Sequence, residues 1–180
     1  VSFIGASLFL LLLSVPVLSI RLGFGDAGND PVATDTRQAY DLISEGFGPG
    51  FNGPLYIAVT GDAVTNKEKL SAFVETISTT KDIAFAGLAP MNSDKVALVM
   101  AYPASSPQDI ATTNVVHTLR DIVIPASGVE AKIGGFTAGS IDFADYLGSR
   151  LPYLIGIVLI VSFLLLMIVF RSLLVPLKAV

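Results

Sequence analysis

Gly48-Pro49-Gly50-Phe51-Asn52-Gly53 matches the G-x-G-x-x-G pattern that cradles a dinucleotide pyrophosphate. That chemistry needs a strand before the loop and a helix after it, so that the phosphates meet the N–H groups of the helix start. Here the order reads reversed. Tyr40, Ile43 and Phe47 fall at helical spacing before the loop, and Leu55–Thr60 (LYIAVT) alternates like a strand after it. No acidic residue closes a second strand about 20 residues on, and no Gly-Lys-Ser/Thr is present. The loop therefore reads as a rigid turn. Gly46 or Gly48 ends the helix, Pro49 and Pro54 stiffen the path, and Phe47 and Phe51 pack down as anchors.

The other chemical groups are sparse. His117 is the one histidine; it falls inside a helical pattern, no catalytic triad member stands out beside it in sequence, and it reads as a surface or packing residue. Asp142, Asp145 and Tyr146 stand just before an apolar run, where carboxylates can admit protons or cations; the plainer reading is the solvated face of a connecting helix. Asp26, Asp30 and Asp35 lack the spacing of a calcium loop and suit a solvated linker. Cysteine is absent, which removes thiolate chemistry and cysteine metal sites. No catalytic, cofactor-binding or metal-binding residue is assigned, no cofactor is implied, and the chain is not read as an enzyme.

The elements that position these residues follow from periodicity. Thr34 caps a short amphipathic helix ending near Phe47. Leu55–Thr60 is a strand. Thr65-Asn66-Lys67-Glu68 reads as a capping box, with Leu70, Phe73, Val74 and Ile77 giving the helix behind it an apolar face. Ile83–Leu88 and Lys95–Tyr102 are two further strands, joined through Asn92-Ser93-Asp94. Ser106-Pro107 starts a second helix, with Val115, Val116, Leu119, Ile122 and Val123 on its apolar face. Val129, Ala131 and Ile133 alternate with Glu130 and Lys132 as a half-buried strand. The order strand, helix, strand, strand, helix, strand over Leu55–Gly134 is that of a ferredoxin-like βαββαβ unit, an α+β fold.

Composition adds the bilayer. Apolar residues make up 52% of the 180 and charged residues 14%, against about 25% charged in globular proteins. The apolar excess sits at the ends. Leu151–Phe170 carries no charge and is long enough to cross a hydrocarbon core of about 30 Å. Val1–Ile20 reads as a second span; a signal peptide would need a basic start and an A-x-A cleavage site. All 15 acidic residues lie from Asp26 to Asp145, so the middle is an acidic, water-exposed domain that argues against nucleic acid as a partner. Arg171 and Lys178 suit a cytoplasmic end, which leaves the middle extracytoplasmic. The divisions are thus a membrane helix at 1–20, a linker with its short helix and Gly/Pro loop at 21–53, the βαββαβ domain at 54–136, a connecting helix at 137–150, a membrane helix at 151–171, and the start of another membrane segment at 172–180. The chain begins without Met and stops soon after a helix, as expected for a piece of a longer polypeptide.

Three stretches, SIRLGFGDAGNDP, TRQAYDLISEGFGPGFNGPL and LPYLIGIVLIVSFLLLMIVFRSLLVPLKA, resemble the second half of MMPL-family transporters of the resistance-nodulation-division superfamily. The resemblance covers the chain and is strongest at its ends. It implies two repeated halves, each with one membrane helix, a porter-like extracytoplasmic domain and five more membrane helices. This chain would supply the seventh helix, the second porter domain and the eighth helix. It further implies export of lipids or other hydrophobic cargo on the proton gradient, with the bilayer and the rest of the transporter chain as partners. The family's proton-relay Asp-Tyr pairs sit in other membrane helices; Asp145-Tyr146 matches by letters only, because it precedes the span. Rival readings are the outer domain of a two-span sensor and an envelope assembly scaffold. A sensor should continue into a charged linker after Arg171, whereas SLLVPLKAV is apolar with one Lys.

Overall fold

Leu55, Ile57 and Val59 are fully buried, while Tyr56, Ala58 and Thr60 between them face the other way. This period of two sets the sides of an α+β domain in the computed structural model, which describes residues 2–16, 20, 22–90, 93–173 and 177. The chain falls into two compact units: Gly23–Asp142, and Val1–Leu22 with Phe143–Val180.

The first unit holds a four-stranded sheet. Its strands are β1 (Leu55–Thr60), β2 (Ile83–Leu88), β3 (Ala97–Pro103) and β4 (Glu130–Gly134), in the order β2-β3-β1-β4, each antiparallel to its neighbours. α2 (Asp35–Phe47) precedes β1, α3 (Lys67–Ser78) joins β1 to β2, and α4 (Ile110–Thr118) with α5 (Ile124–Ser127) joins β3 to β4. Leu70, Phe73 and Ile77 of α3 and Val115, Val116 and Leu119 close over Ile57, Val59, Val99, Ala101 and Ile133 in one core. Each of these side chains larger than alanine contributes about 1.5–3 kcal/mol when fully buried.

Three expectations shift by a few residues, each for a local reason. Asn66, not Thr65, caps α3: its side chain accepts from the Lys69 amide at 2.9 Å, whereas Thr65 stays in the preceding turn and donates to the Asp62 carbonyl. The helix after β3 begins at Ile110 rather than at Pro107. The Asp109 carboxylate accepts from the Ser106 amide at 2.9 Å and holds residues 106–109 in a turn, and Asp109 itself is extended. Ile122, expected on the apolar face, is 63% exposed, and Ile124 is buried in its place. Leu119–Val123 is a π-turn, and its wider spacing carries the buried stripe from Leu119 to Ile124.

In the second unit, α1 (Ser2–Ser14) has 13 residues, and Leu8–Leu13 are all exposed. Val17, Leu18 and Ser19 of the expected first span lie outside the described residues, as do Asn92 of the β2–β3 turn and most of 172–180. α6 (Phe136–Phe170) starts in the first unit and continues into the second as 35 helical residues, unbroken at Pro152. Its mean hydropathy reaches 3.0 over 18 residues, and among the described residues it is the one helix long and apolar enough to cross a membrane.

Candidate functional site

The sheet face turned away from α3 and α4 carries Tyr56 and Ala58 of β1, Leu98, Met100 and Tyr102 of β3, and Phe85 of β2. The register sets Tyr56 opposite Met100, and Phe85 opposite Tyr102. On this face Phe85 is 54% exposed and Tyr56 38%. The rings form a ladder. Phe85 and Tyr102 have centroids 6.1 Å apart, Phe51 stacks on Tyr102 at 4.2 Å and 16°, and Phe47 tilts against Phe51 at 5.6 Å.

The Gly/Pro loop builds the middle rung. α2 starts on Thr34, whose hydroxyl accepts from the Arg37 amide, and ends at Gly48, which has φ +101°. Such a left-handed backbone favours glycine. The chain then turns so tightly onto the end of β3 that a Cβ at Gly50 would overlap the Pro103 carbonyl oxygen. That close approach lays Phe51 on Tyr102. The Asn52 side chain locks the turn by donating to the Tyr40 carbonyl at 3.0 Å and to Ser44 Oγ at 2.8 Å. So the G-x-G-x-x-G residues pack a helix end onto a sheet, and the motif holds one short 3-10 turn, Pro49–Asn52, that leads into β1 rather than into an α-helix. Phe51 is an anchor as expected. Phe47 is not: it is 68% exposed, because α2 turns Ala39, Leu42, Ile43, Gly46 and Phe47 outward as one stripe.

The polar residues singled out by sequence are scattered. Asp26 accepts from the Gly28 amide, and Asp30 from Thr36 Oγ1 at 2.8 Å, so both hold the linker turns. Arg37 closes the same segment by donating to the Gly28 carbonyl at 2.7 Å and pairing with Asp41. Tyr40 is held above its usual pKa, first by burial and then by the charge of Asp26. His117 is half-buried on α4. Arg150 lies over the Tyr146 ring, 5.4 Å from its centroid. Asp142 joins none of these; it takes a bidentate ion pair from Arg120. Sequence reasoning missed Phe85, Tyr102 and Arg120. Strand alternation assigns Phe85 and Tyr102 to one face, but only the pairing of β2 with β3 puts them side by side.

The chain matches the family model described as the MMPL family over residues 55–180. It is 37% identical over 177 residues to "Membrane protein YdfJ" of Bacillus subtilis, covering 96% of this chain and 24% of that protein. It is 25% identical over 188 residues to "Mycolic acid-containing lipids exporter MmpL11" of Mycolicibacterium smegmatis, covering 99% and 20%. It is 23% identical over 189 residues to "Heme uptake protein MmpL11" of Mycobacterium tuberculosis, covering 100% and 19%. The chain thus spans about a fifth to a quarter of the length of these relatives. On the match over 55–180, the chain belongs to the MMPL family.

Proposed function

We propose that the chain forms the second extracytoplasmic porter domain of a proton-driven MMPL exporter, flanked by two spans, and that its aromatic ladder faces hydrophobic cargo. The observation that carries this reading is the ladder itself. Four rings run from the outward stripe of α2 across the sheet face turned away from α3 and α4, in an acidic domain that leads into a membrane-length apolar helix. A contiguous exposed apolar surface on a polar domain marks a binding site. Rings accept acyl chains along their faces, and the polar edges of Tyr56 and Tyr102 suit a headgroup.

The order β1-α3-β2-β3-α4-β4 with strands arranged β2-β3-β1-β4 supports a ferredoxin-like unit, in which all covering helices lie on one face and the other stays open. The lipid-exporter name of one relative supports lipid cargo. The heme-uptake name of another points to a flat apolar macrocycle, which stacked rings would also accept, and to the opposite direction of transport. The test compares cell-envelope lipids in cells carrying the intact protein, Phe85→Ser, or no protein. One lipid class should build up at the inner membrane both without the protein and with Phe85→Ser. Unchanged lipids in both, with heme accumulation altered instead, would select the macrocycle reading. Unchanged levels of both would leave the two-span sensor or an assembly scaffold as the better account.

A further inference from the structure

The sheet face that carries the ladder is not apolar throughout. Leu98, Ala58 and Lys132 stand in one row across β3, β1 and β4, and Met100, Tyr56 and Gly134 in the next. Residues two apart on a strand share a face, so Lys132 lies on the same side as Tyr56 and Tyr102. Two strand spacings and four positions along the strand separate Lys132 from Tyr102, roughly 16 Å. The face thus runs from rings on the β2 side to an ammonium on the β4 edge.

Lys132 stands apart from the other basic residues of the sheet domain. Arg37, Lys69 and Arg120 are paired with Asp41, Asp62 and Asp142. Lys67 opens α3 on the opposite side of the sheet, and Lys81 and Lys95 lie in the connections either side of β2. Lys132 is exposed, and among the described residues no carboxylate pairs with it. Glu130, its acidic neighbour on the same face, is turned the other way: its Oε2 lies 3.5 Å from Thr60 Oγ1 and borders Gly61. A groove of about 380 Å³ opens beside Lys132, against Ile124, Pro125 and Ile133, and leaves room for a headgroup.

We infer that the cargo is an anionic amphiphile: Lys132 receives its carboxylate or phosphate, and its apolar part lies over Met100, Tyr56 and the ladder. This deepens the cargo reading of the ladder and rests on it. Charge complementarity selects the occupant. A cation at one end of an apolar face favours a ligand with an anion at one end of an apolar chain, because a charge-assisted hydrogen bond is about twice as strong as a neutral one. Lysine carries its charge as a compact ammonium on a flexible stem, which adapts to headgroups of more than one shape. The plainer role of a charge on an edge strand is to keep other strands away. That role is served by either sign of charge, whereas headgroup recognition needs the positive one.

The test turns on this difference. The intact protein, in zwitterionic nanodiscs, carries a photo-crosslinking amino acid at position 85 and is labelled with a clickable long-chain alcohol. Unlabelled competitors of equal chain length are an alkyl phosphate, a fatty alcohol and an alkylammonium. With Lys132 in place, the phosphate should compete about tenfold better than the alcohol, and the alkylammonium worse than either. Lys132→Gln should remove the advantage of the phosphate, and Lys132→Glu should pass it to the alkylammonium. The alcohol should compete equally in all three backgrounds, which shows that the ladder surface is intact. Equal competition by phosphate and alcohol with Lys132 in place overturns the anionic cargo, and this comparison stands even where a variant fails to fold. A phosphate advantage that persists in both variants overturns the role of Lys132. No labelling at position 85 in any background overturns the cargo reading of the ladder itself, and the headgroup inference with it.

Discussion

Phe51 lies nearly flat on Tyr102, with centroids 4.2 Å apart and planes 16° apart, although the first belongs to the turn before β1 and the second to β3. This stack joins α2 to the sheet and makes one surface of two. Phe51→Ala should lose about 0.5–1.5 kcal/mol from the ring pair beyond the area term. Phe85→Ser, at a half-exposed ring whose centroid lies 6.1 Å from that of Tyr102, should cost about 0.5–1.5 kcal/mol through the lost ring pair. Denaturant unfolding of residues 23–142 as a soluble domain checks both.

Glycine substitutions should separate close approach from mere flexibility. Gly50→Ala puts a methyl group into the Pro103 carbonyl. It should cost roughly 3 kcal/mol or more as strain and loss of the Phe51 stack. Gly46→Ala meets no atom within 4 Å inside α2, and should add about 0.5–1 kcal/mol of helix stability. Thermal melts of the two variants should move in opposite directions.

The π-turn predicts an inversion of what the periodicity implies. Ile124→Ala removes a buried side chain and should cost about 2–5 kcal/mol. Ile122→Ala, exposed on the outer side of the turn, should cost under about 0.5 kcal/mol. Equal losses would contradict the assigned spacing.

Tyr40 gives the domain an alkaline limb. Burial, and then the charge of Asp26, raise its pKa in the folded state. The folded protein therefore favours the neutral phenol. That stabilisation is present below the unfolded value of about 10 and is lost as pH rises past it through the raised folded value. Stability measured from pH 8 to 11 should fall in the wild type and flatten in Tyr40→Phe. An equal slope in both would place the alkaline loss elsewhere.

Much of this was legible because it is local. Thr34 as a cap, the strands Leu55–Thr60 and Ile83–Leu88, and the alternation of Val129, Ala131 and Ile133 depend on residues a few positions apart. The start of α4 was misplaced because Pro107 suits a helix start equally well, and only the Asp109–Ser106 hydrogen bond shows that residues 106–109 form a turn. Ile122 was misplaced because periodicity assumes α spacing throughout. The functional surface was hidden for a different reason. Phe47, Phe51, Phe85 and Tyr102 come from four separate elements, and Arg120 meets Asp142 across 22 positions. Only strand order and helix packing bring them together.

The central claim is that the ladder meets cargo. The direct measurement places a photo-crosslinking amino acid at Phe85, Phe47 or Ile122 in the intact protein in membranes, and exposes each to a clickable long-chain acyl probe. All three positions are exposed, at 54%, 68% and 63%, but only the first two belong to the ladder. The account predicts labelling at 85 and 47 that excess unlabelled lipid removes, with little at 122. Equal labelling at all three positions, or none at 85, would contradict it.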